Sequence, residues 1–136
     1  RERQKDGRGV GVRTSRNQTL FERGKWVHVA WVWGRTSAVY IDGKLGDQRP
    51  SVMSGPPFSP LSVFMIGYIR PEQNINAMVD ELRISDIARY TAEFTPPSRD
   101  VELRPDKHTR LLMHFNGNLD AESYGHTGPA PVKLTK

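Results

Sequence analysis

The acidic residues are the first candidates for chemistry, because cleavage of a glycoside needs two carboxylates about 5–10 Å apart on either side of the sugar. Asp80 and Glu81 are the strongest such pair, and they are neighbours in the sequence. On a strand, neighbouring side chains point to opposite faces, so these two would not face one sugar together. The sequence contains neither an acidic E-x-D-x-E strand nor a nucleophile-elbow motif. These residues therefore predict a protein that is not an enzyme.

Histidine spacing gives no sign of a metal site. The sequence has neither an H-x-x-x-H nor an H-E-x-x-H pattern among its histidines, which are His28, His108, His114 and His126. Cysteine is absent, so thiolate metal sites and disulfides are excluded as well. We expect His28 to be an ordinary strand histidine with satisfied polar atoms, and we expect no required cofactor.

Several large aromatic residues have positions that suit carbohydrate binding. A sugar is held by an aromatic ring against its C–H groups, while polar side chains bind its hydroxyls. The candidates lie at or near the ends of predicted strands and are Trp33, Tyr40, Tyr68 and Arg70. The alternative is that these aromatics pack in the core or on a sheet surface, and the sequence leaves both interpretations open.

The charge distribution bears on possible partners. The net charge is +5, and arginine and lysine exceed acidic residues over the first 23 positions. We expect weak, salt-sensitive attraction to polyanions there, although a solvated basic face explains the excess equally well. Aromatic residues do not alternate with these charges as a base-stacking platform requires, so no nucleic-acid partner is predicted. No apolar run approaches the ~18–20 residues of a membrane span.

The elements that must position these residues are short strands. Asp42-Gly43 is a dipeptide typical of a type I′ turn, which predicts a hairpin between two of them. Residues 85–90 predict a turn or one short helix, and the proline-rich stretch 48–60 predicts a loop. The predicted strands are 9–13, 19–21, 25–33, 38–42, 44–47, 61–69, 78–84 and 109–116, with a last edge strand at 132–134. This spacing, without an amphipathic helix, indicates an all-β sandwich or barrel.

Four segments in order give the sequence a family resemblance. They are GKWVHVA at 24–30 with VYIDGK at 39–44, IG at 66–67, VDELRI at 79–84, and ARY at 88–90 with FTP at 94–96. They resemble the signature of laminin-G-like jelly rolls, which are concanavalin A-like antiparallel β-sandwiches. The match covers about residues 10–97 of what we expect to be a single domain over 1–136. Residues 104–136 are expected to add a completing strand, LLMHFNG at 111–117, and a tail.

The motifs imply structural roles for the aromatic residues around the first long strand. Trp26, Val29 and Trp31 are expected to fill the space between the two sheets, where one aromatic buries about 150–250 Å². We therefore expect Trp26→Ala to cost about 3–5 kcal/mol. The carboxylates of Asp80 and Glu81, beside a buried strand, are expected to accept backbone or arginine hydrogen bonds.

The sequence also departs from the family, because the aromatic-rich opening strand "FTIEFWV" has no counterpart. The sandwich is therefore expected to be incomplete without a partner chain, or the chain to be a fragment of a longer protein. An open sheet edge pairs readily with a neighbour. We expect a homo-oligomer, or a second chain that supplies or covers the missing strands, rather than an isolated monomer.

The resemblance also implies a calcium hypothesis, because some laminin-G-like domains bind calcium through loop oxygens. The oxygens at Asn74, Asn76 and Asp80 form one candidate set, and those at Asn116, Asn118 and Asp120 form another. The second set has alternating spacing but lacks the remaining ligands of an EF-hand loop, and ordinary turn formation by asparagine and aspartate explains it equally well.

Taken together, the resemblance implies a non-catalytic binding module of a secreted or cell-surface protein, recognising carbohydrate or another protein. The bacterial periplasm is an alternative location. A structural or accessory subunit, held in a larger complex through its open sheet edge, is the alternative function, and a fragment of a glycoside hydrolase is disfavoured.

Overall fold

The computed structural model describes residues 22–50 and 77–122. It divides the chain into two compact units, and each unit combines two stretches of sequence. Unit 1 comprises Arg1–Pro57 and Ala88–Pro96, and unit 2 comprises Phe58–Ile87 and Pro97–Lys136. All regular elements in the described ranges are antiparallel strands, which confirms the all-β fold class.

Unit 1 contains a three-stranded sheet in the order β1-β2-β3. Its strands are β1 (Val29–Val32), β2 (Thr36–Ile41) and β3 (Lys44–Pro50). Asp42 and Gly43 join β2 to β3 with φ angles of 48° and 76°. Two consecutive residues at positive φ are what a type I′ turn requires, so the predicted hairpin is confirmed. Strand β3 runs three residues further than predicted, and β1 is shorter than the predicted 25–33 strand.

The core of unit 1 lies on one face of this sheet. Ala30, Ala38 and Tyr40 are buried, and Val32, Tyr90 and Phe94 pack against them. The rings of Tyr90 and Phe94 are stacked, with centroids 3.6 Å apart, and Phe94 meets Tyr40 at 5.6 Å. The ARY and FTP motifs therefore supply two rings, Tyr90 and Phe94, that pack with Tyr40 of the hairpin.

The prediction that Trp26, Val29 and Trp31 fill the core is wrong. These side chains are 40%, 53% and 49% exposed. Both faces of β1 are apolar, because Val29 and Trp31 alternate with Ala30 and Val32. Alternation therefore could not tell which face is buried, and the smaller Ala30 is the one that faces the core.

Unit 2 contains a two-stranded antiparallel sheet of β4 (Leu82–Ser85) and β5 (Thr109–Met113). Leu112 and Thr109 are fully buried, and an isolated bridge joins Leu112 to Glu122. The predicted strand 78–84 begins only at Leu82, because Glu81 has a φ of 54° that no strand residue adopts. The predicted strand 109–116 likewise ends at Met113, before Phe115 at φ 57°.

The remaining sequence predictions divide by position. Ser85 is the last residue of β4, and residues 86–90 contain bends and no helix, which is the turn alternative. The predicted strands at 9–13, 19–21, 61–69 and 132–134 lie outside the described residues. Within the described ranges, no helix is both long and apolar enough to span a membrane. The expectation of a single domain stays a prediction.

Candidate functional site

The exposed end of β1 carries a pair of tryptophans. The ring centroids of Trp31 and Trp33 lie 5.6 Å apart with an interplanar angle of 62°, an edge-to-face contact. Trp31 is 49% exposed and Trp33 is half-buried. Their spacing of two residues along an extended segment places them on the same side of the chain. The pair therefore presents aromatic surface to solvent with its relative orientation already set.

Neighbouring apolar side chains extend this surface across the sheet. In the register of β1 and β2, Trp31 is opposite Val39, and Val29 is opposite Ile41. Directly opposite residues of an antiparallel pair share a face. Val39 and Ile41 are half-buried, so the outer face of unit 1 is apolar around the tryptophan pair. We call this set, Val29, Trp31, Trp33, Val39 and Ile41, the aromatic face.

The predicted carbohydrate residues divide into three cases. Trp33 lies on the aromatic face in contact with Trp31, and its role in carbohydrate binding stays a prediction. Tyr40 is 3% exposed and packs edge-on against Phe94, which is the core alternative for this aromatic. Tyr68 and Arg70 lie outside the described residues.

A second constellation of polar residues lies in unit 2, where Glu81 meets His114. Oε1 of Glu81 lies 2.7 Å from Nδ1 of His114, and both side chains are 19% exposed. The backbone N–H of Leu103 donates to Oε2 of the same carboxylate over 3.0 Å. The hydrogen bond that His114 donates to Glu81 raises the pKa of His114, while burial lowers it and the negative charges of Glu81, Glu102 and Glu122 raise it further.

Two further carboxylates surround this histidine. Glu102, Glu81 and His114 each offer one ligand atom, and the three atoms lie within 4.8 Å of one another. The Nδ2 group of Asn116 donates to Oε1 of Glu102 over 2.6 Å. Oε1 of Glu122 lies 3.9 Å from Nε2 of His114, on the other side of the ring. We call Glu81, Glu102 and His114 the Glu–His cluster.

Sequence reasoning missed the Glu–His cluster. Local histidine spacing gives no sign of this cluster, because Glu81 and His114 are 33 residues apart. The available signal was positional, since Glu81 is in the VDELRI segment and His114 is in LLMHFNG, and these segments form β4 and β5 with their flanks. The expectation that Glu81 accepts a backbone hydrogen bond is confirmed, with His114 rather than an arginine as its side-chain partner.

The two predicted calcium sets have different outcomes. Asn74 and Asn76 lie outside the described residues, and Asp80 is half-buried just before Glu81. In the second set, Oδ1 of Asn118 accepts the backbone N–H of Asp120 over 3.2 Å, which is the local turn interaction that the alternative interpretation describes. Asn116 donates to Glu102, as described above.

Comparison with known proteins identifies the family. A laminin-G-type family model, described as the concanavalin A-like lectin/glucanases superfamily, matches residues 4–94. This stretch is more than half of the chain, and it contains the hairpin, the aromatic face and Glu81. No curated protein and no solved structure gives a significant match. The chain therefore belongs to the laminin-G-like family of the concanavalin A-like lectin/glucanases superfamily, whose fold is an antiparallel β-sandwich.

Proposed function

We propose that this protein is a non-catalytic, carbohydrate-binding module that contacts its ligand through the aromatic face. The observation that carries the proposal is the Trp31–Trp33 pair, with centroids 5.6 Å apart and Trp31 49% exposed. Two aromatic rings fixed against each other lose little conformational freedom when a ligand binds, which favours affinity. Laminin-G-like domains are generally non-catalytic binding modules, and the family membership supports the class of function.

The arrangement of acids supports a non-catalytic role. Among the described residues of unit 1, the carboxylates already bind backbone or basic groups, as Asp42 does with His28 and Glu93 with Lys44. A glycosidase would need two carboxylates facing one sugar. The aromatic face instead consists of tryptophan and aliphatic side chains, which suits contact with the apolar side of a sugar ring.

The location that we propose is secreted or at the cell surface. Laminin-G-like domains are typically extracellular, and family membership is the support for this part of the proposal. Fractionation of cells that express the protein from its native gene, with detection by an antibody against this chain, would test it. Retention of the product in the cytoplasm would contradict it.

Affinity gel electrophoresis against a panel of neutral and acidic polysaccharides tests the carbohydrate proposal. Burying one aromatic side chain against a ligand contributes about 1.5–3 kcal/mol, so Trp31→Ala and Trp33→Ala should each weaken binding about 10- to 100-fold. Trp26→Ala is the matched control, because Trp26 is 40% exposed but lies outside the aromatic face. Equal retardation of all four proteins would contradict the proposal.

Ionic strength separates this binding from simple charge attraction. Attraction to the basic residues of the chain should fade between low salt and about 0.15 M, where the screening length falls to about 8 Å. Binding through the aromatic face should persist at 1 M salt. Retention that disappears at high salt and is the same for the wild type and Trp31→Ala would assign the interaction to net charge alone.

A second candidate function is that of a structural subunit held by another protein. The specific observation is that Val29 on β1 and Leu45 on β3 are 53% and 42% exposed, so the sheet offers apolar surface beyond the tryptophan pair. Tryptophan is also enriched at protein interfaces. Sedimentation velocity over a concentration range, with Val29→Lys as the disrupting variant, tests it. A concentration-independent monomer that still binds glycan would favour the carbohydrate proposal.

A further inference from the structure

We propose that Glu81, Glu102 and His114 bind one divalent transition metal ion of the Zn²⁺ type. Glu81 lies immediately before β4, Glu102 lies in the segment before β5, and His114 lies immediately after β5, and the three meet within unit 2. This site is independent of the carbohydrate proposal, which rests on unit 1.

The distances in the Glu–His cluster are close to those of a loaded site. Zinc lies about 2.0–2.2 Å from nitrogen and oxygen ligands, so neighbouring ligand atoms in a tetrahedral site are about 3.4 Å apart. The three ligand atoms here lie within 4.8 Å of one another. Glu81 and His114, at 2.7 Å, need to separate slightly, and Glu102 needs to approach. Glu102 is exposed, so rotation of its side chain can supply that movement without disturbing the core.

Each of the two carboxylates accepts one hydrogen bond from outside the cluster on one oxygen. The other oxygen of Glu81 is hydrogen-bonded to Nδ1 of His114, so a metal ion would take the place of the proton between them, and the other oxygen of Glu102 is left for the metal. Oε2 of Glu81 accepts the Leu103 N–H, and Oε1 of Glu102 accepts the Asn116 amide. Hydrogen bonds of this kind orient metal ligands, and their loss typically weakens metal binding about 10- to 100-fold. The bond between Leu103 and Glu81 holds an oxygen toward His114 rather than toward solvent.

His114 has a carboxylate near its second ring nitrogen, as metal-binding imidazoles usually do. With Nδ1 facing Glu81, Nε2 points toward Glu122, whose Oε1 lies 3.9 Å away. A carboxylate at the second ring nitrogen fixes the tautomer that leaves the first nitrogen free for a metal. The gap is too long for a direct hydrogen bond, and one water or a small rotation of the exposed Glu122 closes it.

The charge of the site calls for a cation. Three carboxylates surround one imidazole, and none of them forms an ion pair with a lysine or arginine among the described residues. One imidazole with two carboxylates suits zinc and its first-row neighbours, whereas calcium prefers six to eight oxygens. Three protein ligands leave a fourth tetrahedral position for water or for a donor group of a ligand.

Isothermal titration calorimetry of the full chain with ZnCl₂ tests the proposal, and the visible spectrum of the Co²⁺-loaded protein reports coordination geometry. We expect one Zn²⁺ per chain and little heat with CaCl₂. Glu102→Gln should weaken Zn²⁺ binding at least about 10-fold while leaving the fold intact, because Glu102 is exposed. Asn116→Ala should weaken binding about 10-fold through loss of the bond that orients Glu102.

His108→Ala is the matched control, since His108 also lies in unit 2 and pairs with a carboxylate, that of Asp86. It should leave the affinity unchanged, whereas His114→Ala should abolish binding. Absence of Zn²⁺ binding at millimolar concentration would overturn the proposal and leave Glu81–His114 as an ion pair only. Binding that Glu102→Gln and His114→Ala do not weaken would overturn it too, since the metal would then be held elsewhere.

Discussion

His28 and Asp42 exchange two hydrogen bonds across unit 1. The backbone N–H of His28 donates to Oδ1 of Asp42 over 2.8 Å, and the backbone N–H of Asp42 donates to the carbonyl oxygen of His28 over 2.8 Å. The aspartate of the VYIDGK motif therefore ties the β2–β3 turn to the residue that precedes β1. The same residue holds the positive φ that the turn needs.

Substitution of Asp42 separates these two roles. Asp42→Asn keeps an oxygen acceptor and tolerates a φ of 48°, so we expect a change of under about 0.5 kcal/mol in the free energy of unfolding. Asp42→Ala loses the acceptor and keeps the strained φ, and should cost about 1–3 kcal/mol. Urea denaturation measures both. Equal stability of the two variants would show that the bond from the His28 N–H to the Asp42 side chain contributes nothing measurable.

Gly43 is expected to be far less tolerant than another glycine with the same φ. A Cβ at Gly43 would lie 1.8 Å from the carbonyl oxygen of Phe94, whereas a Cβ at Gly24 meets nothing within 4 Å. Both residues have a φ of 76°. Gly24→Ala should therefore cost only about 1 kcal/mol from backbone strain. Gly43→Ala should cost several times more or prevent folding, as thermal unfolding followed by circular dichroism would detect. Similar melting temperatures would contradict the close approach.

The aromatic residues of unit 1 should differ sharply in their effect on stability. Tyr40→Ala removes a side chain that is 3% exposed and should cost about 3–5 kcal/mol. Trp26→Ala and Trp31→Ala remove side chains that are 40% and 49% exposed, so we expect losses of about 1 kcal/mol or less. Chemical denaturation of the three variants provides the measurement. A loss of about 3 kcal/mol for Trp26→Ala, which is the size expected of a core deletion, would restore its core role.

Two buried hydroxyls make a matched pair for mutation. Oγ of Ser37 has no hydrogen-bond partner among the described residues, whereas Oγ1 of Thr109 bonds to both the N–H and the carboxylate of Asp106. Ser37→Ala should be neutral or stabilise by up to about 1 kcal/mol, because a buried unpaired hydroxyl is unfavourable. Thr109→Val should destabilise by about 1–3 kcal/mol, since it removes the acceptor of the Asp106 N–H and one donor to the Asp106 carboxylate. A clear loss of stability in Ser37→Ala would reveal a partner for its hydroxyl.

Glu93 should make the stability of unit 1 sensitive to acid. Hydrogen bonds from Lys44 and from the backbone N–H of Leu45 lower the pKa of Glu93 below its ordinary value. A lowered pKa in the folded state contributes stability above the unfolded pKa, and that stability is lost as the pH falls through the folded value. Below about pH 4.5 the wild type should therefore lose more stability than Glu93→Gln does.

Carboxyl-detected NMR titration would measure the Glu93 pKa directly, and Lys44→Met should move it back toward the ordinary value. The pair is exposed, so the effect should shrink in high salt. A Glu93 pKa that equals the ordinary value in the wild type would contradict the contact with Lys44.

The β2–β3 hairpin was predictable because its determinants are local. Asp42-Gly43 requires two positive φ angles, and the flanking apolar residues then fall into register. The burial of β1 was not predictable, because Ala30 and Trp31 place apolar side chains on both faces and only contacts distant in sequence decide between them. The position of Trp33 at a strand end predicts a role in ligand contact, whereas the sequence predicts a core position for its partner Trp31, which is wrong.

The Glu–His cluster could not be predicted from the sequence, because its members come together only in the folded structure. The positive φ of Glu81 means that the strand begins only at Leu82, and no property of the VDELRI segment signals that φ angle. Glu102 lies in no strand. The amide of Asn116 holds its carboxylate, which offers a ligand atom within 4.8 Å of that of His114. Pairing between β4 and β5 brings these residues together across more than thirty positions, which local spacing rules do not register.

The backbone N–H of Phe94 donates to the carbonyl oxygen of Gly43 over 3.0 Å, and this long-range contact constrains the order in which unit 1 can fold during synthesis at the ribosome. Hairpin β2–β3 closes a two-residue loop and can form at once, whereas the contact of Lys44 with Glu93 joins residues 49 positions apart. Tyr90 and Phe94 supply much of the aromatic packing over Tyr40. The core face of the sheet around Tyr40 therefore stays uncovered until translation has passed residue 94. During this interval the nascent chain depends most on protection from aggregation.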